Sequence, residues 1–227
     1  MNDGTAKDFL INSYTSRGFF KSFETKSPEK FGNPFPLLTH PFMDWITSWD
    51  LTNLTYLEIG SGASTIFFQK YFKKIKSFEP INDYYEGLKH KLKQNVEYIN
   101  VDQTKMEDGE YQIENYYDFC LIDFNLNRYM LTNNLLKKAN FAFIILDTAE
   151  IYPNTSELIR DNGYTTQIDF WGFKNTQRVE STTSVFINDN IKLKLKKINR
   201  YPAPESRKIY DKNDFDFEKT QTDKIIL

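Results

Sequence analysis

Several features that would identify a class of protein are scarce or missing in this sequence. It has one cysteine, Cys120, and two histidines among 227 residues. A single cysteine has no partner within the chain, which excludes an internal disulfide framework and favours a reducing, cytoplasmic setting. No apolar run approaches the roughly 18 residues of a membrane-spanning helix, and the first residues lack the pattern of a signal peptide. We therefore expect a cytoplasmic protein without a membrane segment.

An excess of charge of one sign is also missing. Lys and Arg number 29 against 31 Asp and Glu, so the net charge is −2. This balance argues against a general binder of nucleic-acid backbones, although a local basic groove stays compatible with it. What the chain does have is 40% apolar and 16% aromatic residues, which is enough for a packed, aromatic-rich core. Its length suits one sizeable α/β domain better than two.

Strand-like apolar runs alternate with helix-like segments from residue 54 onward. Five such runs precede a final pair that is too close together for a crossover helix. The seven runs lie at about 54–59, 75–79, 96–101, 117–122, 141–146, 165–171 and 183–187. Alternation of this kind predicts a parallel sheet with helices on both faces, and the final pair predicts antiparallel strands. Lysines alternating with apolar residues at 191–195 are compatible with one further edge strand.

The chain is expected to divide into three segments within one domain overall. Residues 1–50 form an N-terminal cap segment, part helical and part extended, in which apolar residues at helical spacing after Pro41 predict a helix. Residues 51–198 form the core domain. Residues 199–227 are charged and rich in turn-forming residues, which predicts a poorly packed C-terminal tail.

The most informative motif follows the first core strand. It is the run Glu58-Ile59-Gly60-Ser61-Gly62, and a helix-like segment opens at Ser64. Glycines let such a loop turn sharply and bring backbone N–H groups against a ligand. A second carboxylate, Glu79, lies 21 positions after Glu58 (79 − 58), where the second strand should end. Together they predict a pocket for a ribose-bearing cofactor, while a tight turn and a solvated loop acid remain the alternative.

These residues resemble the cofactor motifs of class I S-adenosylmethionine-dependent methyltransferases. The resemblance implies a Rossmann-like fold with a seven-stranded, mostly parallel sheet, an antiparallel strand at one edge and helices on both faces. It also implies S-adenosylmethionine as cofactor, with a carboxylate holding the ribose hydroxyls and another facing the adenine. The cofactor-binding residues that it implies are Glu58, Gly60, Ser61, Gly62, Ser64, Glu79, Asp102 and Asp123.

A catalytic base is harder to identify, because an activated methyl group needs only an aligned acceptor and exclusion of water. Two candidates are His40, in the segment before the first core strand, and Asp123, after the fourth. The alternatives are a helix-start residue for His40 and a helix cap for Asp123. Metal-dependent members carry an asparagine where this chain has Thr148, after Asp147, so we expect no metal site.

The expected reaction is methyl transfer to an oxygen or nitrogen of a small molecule. The motif Asn/Asp-Pro-Pro-Tyr/Phe of methyltransferases acting on base amino groups is missing, which argues against a nucleic-acid acceptor. A nicotinamide-dependent oxidoreductase is a second hypothesis, although its third loop glycine is here Thr65. A non-catalytic binding module on the same fold is a third. The sequence does not indicate the acceptor or the oligomeric state.

Overall fold

The computed structural model describes residues 3–125, 127–191, 193, 195 and 196. The predicted C-terminal tail, residues 199–227, therefore lies outside the described residues. The boundaries at residues 50 and 198 stay a prediction. Within the described part, no helix combines the length and apolar character needed to cross a membrane.

A seven-stranded sheet forms the centre of the molecule. Its strands are β3 (Thr55–Ile59), β4 (Lys74–Glu79), β5 (Val96–Asn100), β6 (Tyr116–Ile122), β7 (Asn140–Asp147), β8 (Thr166–Gly172) and β9 (Ser181–Ile187). Two further strands, β1 (Glu29–Lys30) and β2 (Asn33–Pro34), form a small antiparallel hairpin that precedes the sheet in the chain.

The order of strands across the sheet is β5-β4-β3-β6-β7-β9-β8. Strands β3 to β7 are parallel to one another, whereas β9 runs antiparallel to both β7 and β8. The antiparallel strand thus lies one position inside the β8 edge. The predicted Rossmann-like methyltransferase fold is confirmed by this arrangement, with the order of the chain reversing between β3 and β6.

Helices connect the strands and cover the sheet. They are α1 (Asp3–Ser16), α2 (Phe19–Thr25), α3 (His40–Ile46), α4 (Ala63–Phe68), α5 (Asn82–Lys89), α6 (Gln103–Asp108), α7 (Arg128–Lys138) and α8 (Pro153–Asp161), with a 3-10 turn at Ala149–Ile151. Helix α5 begins after Ile81 and α8 begins at Pro153, whose ring favours the first helical position. Residues 191, 193 and 195 belong to no strand.

Successive residues of each central strand pack into two different cores, one on each face of the sheet. In β6, Cys120 and Ile122 face one core while Phe119 and Leu121 face the other, as the two-residue period of a strand requires. Aromatic rings dominate the second core, where Phe119 stacks on Phe143 with centroids 4.7 Å apart. Each fully buried ring of this kind contributes about 2–3 kcal/mol through burial, so the sheet is a rigid base for its loops.

Candidate functional site

The loops with the expected site residues all leave the carboxyl edge of the parallel strands. Strand β3 lies between β4 and β6, and the connections from these strands diverge there. Ligands of open α/β sheets bind in the crevice at this switch point. The sequence therefore brings the Gly60–Gly62 loop, Glu79 and Asp123 to one edge, because each directly follows a neighbouring parallel strand.

Glu58 is buried beneath the Gly60–Gly62 loop, which it supports through hydrogen bonds, and it is not accessible to a ligand. Its residue exposure is 0%, and its carboxylate accepts bonds from the hydroxyls of Ser64 (2.5 Å), Thr65 (2.5 Å) and Ser77 (2.7 Å). Burial raises the pKa of Glu58 to about 7, against the lowering effect of these three hydroxyls. Because Thr65 Oγ1 also accepts the Gly62 N–H at 3.0 Å, Glu58 fixes both the loop and the start of α4.

The two glycines of the loop lie in different surroundings. Gly60 has φ of +90°, and a Cβ there would lie 2.1 Å from the carbonyl oxygen of Asp123, so only glycine allows the β3 and β6 loops to approach this closely. At Gly62 a Cβ would meet nothing within 4 Å. The loop is therefore packed against protein at its first glycine and faces open space at its second.

Glu79 is joined to the glycine loop by Ser61. Its Oε2 accepts the Ser61 N–H at 3.1 Å and the Ser61 hydroxyl at 2.6 Å, and its Oε1 accepts the Ile81 N–H at 2.8 Å. Tyr98 lies 2.7 Å from Ser61 Oγ and must be the donor there, since the Ser61 proton points to the carboxylate. Glu79 is 1% exposed. The carboxylate predicted to bind a ribose is therefore hydrogen-bonded to the glycine loop itself.

Asp102 follows β5 and caps α6, accepting the Thr104 N–H at 2.9 Å. Its neighbours are tied to the tip of β4, because the Asn100 side chain and the Val101 N–H both donate to the Glu79 carbonyl. The Asp102 carboxylate itself is exposed, and its observed contact is the helix cap.

Asp123 pairs with a buried arginine. Its Oδ1 lies 3.5 Å from Arg128 Nη2, and its side chain is 30% exposed. Burial and then repulsion by Asp147 raise the pKa of Asp123 to about 7, against the lowering effects of Arg128 and Lys174. Asn127, and not Asp123, caps α7. Asp123 is therefore a half-buried carboxyl group at the switch point, with a pKa near neutral pH.

Arg128 itself is buried, and its charge is used for contacts within the protein. Its guanidinium donates to the carbonyls of Phe124, Ile122 and Asp147 and lies 4.2 Å from the ring centroid of Tyr152. These contacts tie together the loops that follow β6 and β7.

A buried ion pair lies at the end of β7. Lys174, 0% exposed, donates from Nζ to Asp147 Oδ2 at 2.5 Å and to Thr148 Oγ1 at 2.9 Å. Asp147 also accepts the hydroxyls of Thr148 and Thr183. Thr148 has φ of +55°, which is strained for a β-branched residue. In the part of the chain described, no group of three His, Cys, Asp or Glu side chains is placed to hold a metal ion.

His40 lies inside an aromatic cluster. Its Nε2 is 2.8 Å from Asn175 Oδ1, and Asn175 Nδ2 is fixed by donating to the carbonyls of Arg17 and Glu29. The amide oxygen therefore faces the imidazole, and Nε2 carries the proton. Nδ1 is buried without a partner, and burial lowers the pKa of His40. The ring contacts Tyr14 and Phe19.

Lys174 is the residue of this edge that the sequence did not point to. It lies in the turn between β8 and β9, and only the pairing of β9 with β7 brings that turn to Asp147. A lysine in a polar turn is ordinarily a solvated residue. The sequence signal for Lys174 was a buried strand that ends in Asp147, followed later by a hairpin. A short sequence motif does not capture this signal, because the two segments are far apart in the chain.

No protein-family model matches the chain, and no curated protein matches it. Solved structures similar to it include a precorrin-6y C5,15-methyltransferase from Geobacter metallireducens GS-15, with 16% identity, a TM-score of 0.45 and coverage of 69% of this chain and 92% of the other. A precorrin 8w decarboxylase from Methanobacterium thermoautotrophicum has 14% identity, a TM-score of 0.48 and coverage of 72% and 96%. A tRNA methyltransferase, TrmI from Aquifex aeolicus, has 16% identity, a TM-score of 0.45 and coverage of 59% and 61%. Likeness at this level does not extend to activity or substrate.

Proposed function

We propose that this protein is an S-adenosylmethionine-dependent methyltransferase. The observation that carries the proposal is the direct link between the Gly60–Gly62 loop and the Glu79 carboxylate at the switch point of the sheet. The open space at Gly62 fits the methionyl part of this cofactor. The Glu79 carboxylate, one strand away, fits its ribose.

The residues fit the proposed cofactor with one adjustment. A carboxylate offers about four acceptor sites, and Glu79 uses three of them for Ser61 and Ile81. Two ribose hydroxyls would therefore need the Ser61 hydroxyl to turn away from Oε2, while its N–H stays in place. Ile81, an apolar residue that is 42% exposed, offers a surface for the adenine beside Glu79, and Asp102 would accept from the adenine amino group.

The remaining residues expected at the cofactor site support it indirectly. Ser64 and Glu58 hold the loop through their hydrogen bond, and we assign them no contact with the ligand. Gly60 allows the close approach of the Asp123 loop. Gly62 faces the open space in which the methionyl part would lie.

Asp123 is the proposed base for a small-molecule acceptor. When bound, S-adenosylmethionine supplies an activated methyl group on a sulfonium. An acceptor oxygen or nitrogen would bond to the methyl carbon while the electrons of the carbon–sulfur bond stay on sulfur, and the acceptor proton would pass to Asp123. A carboxyl whose pKa is raised to about 7 is suited to this transfer at neutral pH. His40 is favoured as a structural residue, because Nε2 donates to Asn175.

A nicotinamide-dependent oxidoreductase is the second candidate and fits less well. Dinucleotide loops use a third glycine so that helix and strand can pack closely. Here that position is Thr65, which is fully buried and bonded to both Glu58 and Gly62. The loop is thus built around a threonine hydroxyl. A binding module without catalysis would keep the loop but not need a base at Asp123.

Titration calorimetry with S-adenosylhomocysteine and, separately, NADH tests the proposal. We expect saturable binding of S-adenosylhomocysteine and none of NADH. Glu79→Gln should weaken that binding at least tenfold, since an amide nitrogen cannot accept a hydroxyl proton. Glu86→Gln, on the exposed face of α5, is the matched control and should bind as the wild type does. Absence of heat at millimolar S-adenosylhomocysteine with intact folding, or preference for NADH, would overturn the proposal.

A further inference from the structure

An aromatic cavity lies between the N-terminal helices and the turn from β8 to β9. Gly172 pairs with Ser181 and Asp147 pairs with Thr183, so this turn, residues 173–180, emerges at the same carboxyl edge as Asp147. Asn175 fastens the N-terminal segment to the turn through its bonds to the Arg17 and Glu29 carbonyls. The cavity is therefore attached to the edge that carries the proposed methyl-transfer site.

The cavity has a volume of about 510 Å³ and is lined by Tyr14, Phe19, Phe20, Phe23, Phe173 and Arg178. This volume is in the usual range for small-molecule sites, roughly 300–1,000 Å³. Phe19 is at the centre of the lining, with ring centroids 5.0 Å from Phe23 and 5.7 Å from Phe173, both in edge-to-face contact. Five aromatic walls favour a flat, apolar ligand that can stack or pack edge-on.

Arg178 is the charged member of the lining. Its guanidinium carbon lies 6.0 Å from the ring centroid of Phe23, and within the described ranges no carboxylate forms an ion pair with it. An arginine that rests on an aromatic wall keeps its in-plane N–H donors available for a carboxylate or a similar anion. The charge of the cavity is thus complementary to a single negative group.

We propose that this cavity binds the methyl acceptor and that the acceptor is an aromatic or polycyclic molecule with one negative charge. The identification of the ligand as an acceptor rests on the proposed function, whereas the binding site itself does not. The apolar part would pack among the five rings, and the anion would bind Arg178. The nucleophile would then extend along the carboxyl edge toward Asp123.

Calorimetry with biphenyl-4-carboxylate and its neutral isostere biphenyl-4-carboxamide tests this site. We expect the carboxylate to bind the wild type more tightly, by roughly fivefold, as a partly exposed ion pair allows. Arg178→Gln should abolish that preference, and Phe20→Ala should weaken both probes. Arg160→Gln, at a surface arginine on α8, and Phe9→Ala, at an exposed phenylalanine of α1 outside the lining, are the matched controls and should bind as the wild type does.

Each titration is repeated with S-adenosylhomocysteine present, so that the two proposals can fail separately. If neither probe binds, or if Arg178→Gln keeps the preference for the carboxylate, the assigned site is wrong even when S-adenosylhomocysteine binds. If the probes bind as expected and S-adenosylhomocysteine does not, the site stands as a binding site and the identification of its ligand as a methyl acceptor is overturned. Circular dichroism of every variant confirms folding.

Discussion

At the scale of single residues, Ser61 controls which acceptor sites of Glu79, the carboxylate proposed to bind the ribose, are free. Its hydroxyl and its N–H both donate to Glu79 Oε2, and the hydroxyl accepts from Tyr98. The pKa of Tyr98 is raised to about 12, mainly by burial, so the phenol stays neutral and can donate. The Ser61 hydroxyl therefore competes with a cofactor hydroxyl for the same oxygen.

Replacing Ser61 should accordingly strengthen cofactor binding. Ser61→Ala removes the competing hydroxyl and leaves the N–H bond to Glu79, so we expect S-adenosylhomocysteine to bind tighter by about twofold to tenfold, the worth of one net hydrogen bond. Ser16→Ala, on the exposed face of α1, is the control for calorimetry. Weaker binding by Ser61→Ala would mean that the hydroxyl contacts the cofactor directly.

Glu58 makes stability depend on pH in an unusual direction for a carboxyl group. Its pKa is about 7 in the folded protein against 4.5 as the ordinary value, so the native state holds the proton more tightly. The resulting stabilisation is complete below pH 4.5 and is lost as pH rises through 7. It amounts to about 3 kcal/mol.

Glu58→Gln should remove this dependence. Urea unfolding of the wild type and of the variant between pH 4.5 and 8 measures it, and the free energy of unfolding of the wild type should fall relative to the variant as pH rises. Asp123→Asn is measured in the same way to separate its contribution from that of Glu58, since the pKa of Asp123 is raised to about 7 as well. Superimposable pH profiles for wild type and Glu58→Gln would contradict a buried carboxyl that titrates near neutrality.

At the scale of elements, the turn between β8 and β9 supplies a buried cation to the end of β7. Asp147 receives Lys174, Thr148 and Thr183 in one cluster. Thr183 also accepts the N–H of Thr39 through its hydroxyl, which connects the segment before α3 to the same cluster. The turn thus fastens three parts of the chain at the carboxyl edge.

A double-mutant cycle measures this connection. Lys174→Met leaves a buried carboxylate without its cation and should cost about 3–5 kcal/mol, which lowers the Tm by roughly 6–20 °C for a chain of this size. Lys174→Met/Asp147→Asn should recover most of the loss, because neither charge of this pair then remains buried. Equal Tm values for the single and double variants would show that the ion pair does not carry the stability of this edge.

The elements of the core were predictable because each carries its own local pattern. The buried strands β6 and β7 are nearly continuous apolar runs, and the Gly60–Gly62 turn lies between a strand and a helix as predicted. The roles within the site were less predictable. That Glu79 bonds to Ser61 and that Glu58 is enclosed by three hydroxyls depend on distances between loops that are far apart in the sequence. The partner of His40 likewise comes from residue 175.

At the scale of the whole molecule, strand order places the chemistry. The parallel strands bring the glycine loop, Glu79 and Asp123 to one edge, and the antiparallel β9 returns the chain so that the following turn reaches the same edge. The N-terminal helices then pack on that turn through Asn175. The resulting edge holds the proposed cofactor site at the switch point and an aromatic cavity on the β8 side.

Hydrogen–deuterium exchange of the intact protein, with and without S-adenosylhomocysteine, tests the central claim most directly. We predict slower exchange at 58–65 and at 79–83, where the ligand would cover the glycine loop and the Glu79 turn, and unchanged exchange in β1 and β2. Glu79→Gln should lose this protection at the same ligand concentration. Exchange that is unchanged in both segments, or protection that appears elsewhere and persists in Glu79→Gln, would contradict a cofactor held between the loop and this carboxylate.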